Sequence, residues 1–78
     1  MPKITALHWQ KLVRLFELEG FKVAGGVGDH IRMTRAGVKR PVIIKTSPRA
    51  VPPELIRINL TTAGISRERY FDLLDKVK

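Results

Sequence analysis

Seventy-eight residues, 44% hydrophobic and 28% charged, predict one small folded domain, not a disordered tail, with a core that buries about 60% of the unfolded chain's surface. The chain has no cysteine, which excludes a disulfide framework and thiolate metal sites, and no apolar run approaches the roughly 18 residues that cross a bilayer, so a cytoplasmic location is expected. A net charge of +8 and a pI of about 10.7 point to a polyanionic partner.

Taken in order, residues 5–19 (TALHWQKLVRLFELE) predict a helix. Trp9, Leu12, Val13 and Phe16 fall at i, i+3, i+4 and i+7, one helical stripe, with Thr5 placed as N-cap and Gly20 just past the end. Residues 21–24 predict a first strand, and Gly25-Gly26-Val27-Gly28 a loop needing unusual backbone angles. Residues 30–35 alternate, with His30, Arg32 and Thr34 against Ile31 and Met33. Ala36-Gly37 marks a turn, and residues 39–45 a third strand around Val42-Ile43-Ile44. The proline-rich stretch 46–53 (TSPRAVPP) is a loop, with Pro53 placed at the first position of a second helix, 54–63. Gly64 ends that helix, and Ser66 caps a last one over 67–77, with Glu68 in its first turn and Lys76 and Lys78 at its end.

The order α-β-β-β-α-α predicts an α+β fold, a three-stranded antiparallel sheet with helices packed on one face. Ile31 and Met33 then point to the helices, and alternation sends His30, Arg32 and Thr34 to the other face. Between Gly20 and Pro53 stand seven bases, Lys22, Arg32, Arg35, Lys39, Arg40, Lys45 and Arg49, against one acid, Asp29. This basic segment predicts binding of a polyphosphate with strong salt dependence. It lies on strands, not on an amphipathic helix, so a membrane partner is not expected.

Four stretches together resemble the HicA-like (YcfA) toxins of bacterial type II toxin–antitoxin systems. These are Gly20-Phe21 after the first helix, the triplet Gly28-Asp29-His30, the strand Arg40-Pro41-Val42-Ile43-Ile44, and the closing Ala63-Gly64-Ile65-Ser66-Arg67-Glu68-Arg69-Tyr70-Phe71. The resemblance covers nearly the whole chain. It implies a double-stranded-RNA-binding-domain-like fold, an mRNA interferase activity, neutralisation by a HicB-like antitoxin, and a catalytic role for the triplet histidine, His30. Asp29 stands where the family's triplet has serine, and the third strand is followed by Lys45-Thr46-Ser47-Pro48-Arg49, with no second histidine.

RNA brings its own nucleophile, the 2′-hydroxyl, so an endoribonuclease needs a proton acceptor, donors for the developing charge and a grip on the phosphates, with no metal or other cofactor. His30 fits the acceptor, because imidazole is the side chain suited to such a role near neutral pH. Arg32 and Lys45, with Lys22, Arg35, Lys39, Arg40 and Arg49, are the expected RNA contacts, and the loop around Gly28 could approach a phosphate closely. Asp29 has two readings, a carboxylate that orients the imidazole or a turn residue whose charge repels RNA. The sequence therefore carries two functional expectations. One is a nuclease toxin, monomeric when free, that acts on mRNA. The other is a non-catalytic RNA-binding or antitoxin-binding module on the same fold. His8, beside Trp9, lacks partners at metal-ligand spacing and is expected to be structural or exposed. Tyr70 and Phe71 are expected in the core and at its rim.

Overall fold

The computed structural model describes residues 3–77; Lys78 lies outside them. The elements are β1 (Leu7–His8), α1 (Trp9–Leu18), β2 (Lys22–Val27), β3 (His30–Thr34), β4 (Val42–Lys45), β5 (Ala50–Val51), α2 (Pro53–Ala63) and α3 (Arg67–Val77). Strands β2, β3 and β4 form an antiparallel sheet in that order, and β1 pairs with β5 in a separate two-stranded ribbon. This is the expected α+β arrangement of three antiparallel strands and three helices.

The core forms where helix stripes meet one sheet face. Leu12, Leu15 and Phe16 of α1 meet Met33 of β3 and Val42 and Ile44 of β4, with Ile56 and Leu60 of α2 and Tyr70, Leu73 and Val77 of α3 closing the cluster. Each such large side chain, fully buried, contributes about 1.5–3 kcal/mol. Phe16 and Phe21 meet edge to face, ring centroids 5.4 Å apart. The buried stripe of α1 centres on Leu15, while Trp9 and Val13 pack only partly against the core. Tyr70 is buried and Phe71 half-buried, as expected of core and rim.

Four expectations change. The stretch 46–53 is not all loop, since Ala50 and Val51 form β5 against β1. The first helix starts at Trp9, not near Thr5, because the backbone of Leu7 and His8 pairs with Val51 and Ala50 instead. His8 is the N-cap, its Nδ1 accepting from the Gln10 N–H at 3.1 Å, so its role is structural. The strand expected over residues 21–24 is β2, which runs on through Gly25 and Gly26 to Val27, and those glycines belong to the sheet, not to a loop. The third strand is shorter than predicted, starting at Val42, with residues 35–41 forming its connection.

The helix punctuation holds. Gly20 (φ +89°) and Gly64 (φ +72°) take left-handed backbone at the ends of α1 and α2, where a side chain would be strained. Pro53 opens α2, and the Ser66 hydroxyl accepts from the Arg69 N–H at 3.1 Å. At the outer edge of β4, the Asn59 side-chain amide of α2 donates to the Ile43 carbonyl (3.1 Å), closing an otherwise unpaired strand edge.

Candidate active site and nucleic-acid interface

The site begins with a two-residue hairpin. Val27 pairs with His30, leaving Gly28 and Asp29 as the turn. Only Gly28 has positive φ (+60°), the pattern of a type II′ turn and one glycine satisfies without strain. The Asp29 carbonyl accepts from both the N–H and the hydroxyl of Thr46, at 2.7 and 3.1 Å, which ties the turn to the end of β4.

His30 therefore leaves the turn at a fixed place. Its Nδ1 lies 2.9 Å from Asp29 Oδ1, with about half of each side chain exposed. A carboxylate can only accept, so a hydrogen bond to Asp29 would come from Nδ1–H and leave the lone pair of the neutral ring on Nε2. Asp29 stands in the turn, and its carboxylate lies beside the imidazole.

The sheet register sets what shares His30's face. Val27 and Lys45 flank His30, Gly25 and Ile43 flank Arg32, and Lys22 stands opposite Thr34. A register shift between Val23 and Gly25 lets Lys22, not Val23, share that face. From His30 to Thr34 the open face runs about 14 Å. Glycines in β2 keep it tight. A Cβ on Gly26 would sit 2.5 Å from the His30 carbonyl, while at Gly25 the positive φ (+145°) disfavours a side chain, the nearest atom to its Cβ being an Arg32 guanidinium nitrogen at 4.0 Å.

Not every predicted base joins this face. Lys45 and Arg32 stand beside His30, and Lys22 lies at the far end of the strip. Lys39 and Arg40 are exposed in the connection beyond that far end. Arg49 belongs to the loop pinned to the start of α1, its carbonyl accepting from the Trp9 N–H at 2.9 Å. Arg35 is a structural clamp. It donates to the Glu19 carbonyl at 2.9 Å and lies over the Phe21 ring, 4.9 Å from its centroid.

Two depressions flank His30 and Ile43. One, of about 330 Å³, is lined by Gly26, Val27, His30, Arg32 and Ile43. The other, of about 410 Å³, lies between β4 and α2, where Leu55, Ile58, Asn59 and Thr62 face His30, Ile43 and Lys45. The sequence reading missed α2's share in this site and the anchoring role of Thr46. One signal was present: Ile58 is apolar but off the α2 core stripe, and it is 59% exposed. Among the described residues no group of three or more His, Cys, Asp or Glu is placed to hold a metal ion, and no helix is long and apolar enough to cross a membrane.

No family model, curated protein or solved structure matches the chain.

Proposed function

We propose that this protein is a cytoplasmic endoribonuclease of the HicA type, the toxin of a type II toxin–antitoxin pair, with His30 as general base. The observation that carries the reading is the 2.9 Å contact of His30 Nδ1 with Asp29 on an open face flanked by Lys45 and Arg32. A lone surface histidine would need no such partner. Asp29 holds the ring so that Nε2 is the basic nitrogen, and it stabilises the imidazolium formed when that nitrogen takes a proton.

The reaction follows from these parts. Nε2 accepts the 2′-hydroxyl proton, the 2′-oxygen attacks the adjacent phosphorus, and the bond to the 5′-oxygen breaks. The products are a 2′,3′-cyclic phosphate and a 5′-hydroxyl end, the departing oxygen being protonated from the solvent to which the face is open. Arg32 and Lys45 hold the non-bridging oxygens and stabilise the charge that grows on them. Lys22, Lys39 and Arg40 extend the grip along the RNA backbone. A HicB-like antitoxin would silence the protein by covering this face, where Val27 and Ile43 are apolar and exposed beside the catalytic group.

The test is induced expression in a bacterial host, wild type beside His30→Ala, with growth and total RNA followed together. Growth arrest and mRNA loss that disappear in the variant support the nuclease. Equal effects from two soluble proteins, or none from either, favour the non-catalytic binding module.

A further inference from the structure

We infer that the two depressions beside His30 are neighbouring base subsites, so that the substrate is single-stranded RNA whose bases on either side of the cleaved phosphate are unstacked and turned into the protein. The inference rests on the nuclease reading and adds the form of the substrate and a specificity role for α2.

The first support is placement. The cavities share His30 and Ile43 as a common ridge. These two residues are diagonal neighbours on β3 and β4, because His30 pairs with Lys45 and Ile43 with Arg32. A phosphate on the ridge, over the base that starts the reaction, leaves one nucleotide on each side, and each side has a cavity. Both volumes, about 330 and 410 Å³, fall in the range of small-molecule sites.

The second support is chemistry. Arg32 borders one cavity and Lys45 the other, so each has a cation for the anionic backbone and apolar walls for the flat base. On the α2 side the walls are Ile43, Leu55 and Ile58, with Asn59 and Thr62 giving the polar edge that a base's hydrogen-bonding groups need. Ile43 is 45% and Ile58 59% exposed, and each would be covered by a base lying between them. A duplex makes no use of these features. Paired bases hide their faces, and an A-form helix offers phosphates and 2′-hydroxyls across a shallow groove, which calls for a polar surface without apolar hollows. The strand positions on this face include no Phe, Tyr or Trp, so affinity comes mainly from phosphate contacts and aliphatic packing and is expected to be modest.

The experiment uses the full wild-type chain with 2′-O-methyl RNA, which lacks the nucleophile and stays intact, as a labelled single-stranded pentanucleotide and as a paired duplex. Binding is followed by fluorescence anisotropy for wild type, Ile58→Ala and Ile58→Trp. Ile58 is exposed on a helix, so neither change disturbs the core. The single strand is expected to bind more tightly than the duplex. Ile58→Ala is expected to weaken single-strand binding about five-fold and Ile58→Trp to strengthen it, with duplex binding unmoved. Tighter duplex binding, indifference to both Ile58 changes, or no binding of the single strand would overturn the inference. Cleavage of unmodified RNA is scored separately. Cleavage by wild type with Ile58 indifferent removes the subsites and leaves the nuclease reading standing. The expected Ile58 pattern without cleavage does the reverse.

Discussion

Asp29 uses its main chain and side chain for different ends. Its carbonyl accepts two hydrogen bonds from Thr46, and its carboxylate lies 2.9 Å from His30 Nδ1. Asparagine at this position would keep the shape but not the charge, and its amide can offer an N–H to Nδ1, which moves the ring proton to Nε2. Asp29→Asn is therefore expected to lower kcat about ten- to hundredfold with KM for RNA little changed. Steady-state cleavage kinetics test this, and an unchanged kcat would show that the carboxylate is only a turn residue. A buried residue at the edge of the site offers a stability test. Asn59 is 5% exposed and donates to the Ile43 carbonyl. Asn59→Ala leaves that carbonyl without its partner, and the expected fall in Tm is on the order of 10 °C by thermal denaturation. An unchanged Tm would mean that water replaces the amide without cost.

At the scale of elements, the open face is built by β3 with contributions from β2 and β4, and charge on it should appear in salt dependence. Each lost phosphate contact is expected to reduce the slope of log affinity against log salt by about 0.7 for single-stranded RNA. Lys45→Ala and Arg32→Ala should each show that change, whereas Arg35→Ala should lower stability with the slope unmoved, because Arg35 is clamped to Glu19 and Phe21. A slope change at Arg35 equal to that at Lys45 would contradict this division. The alternation of His30, Arg32 and Thr34 against Ile31 and Met33 was enough to place His30 on the open face, because period two leaves no other choice once Met33 is buried. The helix ends were legible for the same kind of local reason, in Gly20, Pro53, Gly64 and Ser66. Non-local pairings were not legible. The Leu7–Val51 and His8–Ala50 pairs override the early start of α1, and the Gly25–Arg32 and Gly26–Ile31 pairs make a strand of a glycine-rich segment. The α2 wall of the site was hidden likewise, since α2 meets β4 only through non-local contacts such as that of Asn59 with Ile43, 16 residues apart in the chain.

For the whole molecule, the helices and sheet share one core, and an ion pair joins its far parts. Arg69 of α3 donates to Glu19 at the end of α1 through Nε and Nη2, at 2.9 and 2.7 Å. Tyr70, the chain's one tyrosine, lies in the core beside that link, and burial pushes its phenol above the ordinary value of 10.0. Its contribution to stability is complete below the unfolded phenol's pKa and is lost as pH rises from there through the raised folded value. Stability should therefore fall above about pH 10, with phenolate absorbance appearing together with unfolding. Ionisation of the phenol at its ordinary pKa in a still-folded protein would contradict this. The open face of the sheet carries the imidazole on which the proposed nuclease activity depends. The most direct test is cleavage of unmodified single-stranded RNA by the purified protein, wild type against His30→Ala, both shown to be folded and to bind uncleavable RNA alike. Cleavage by wild type to 2′,3′-cyclic phosphate ends is expected, with a loss of at least about a hundredfold in rate in the variant. Equal rates in the two proteins would contradict it.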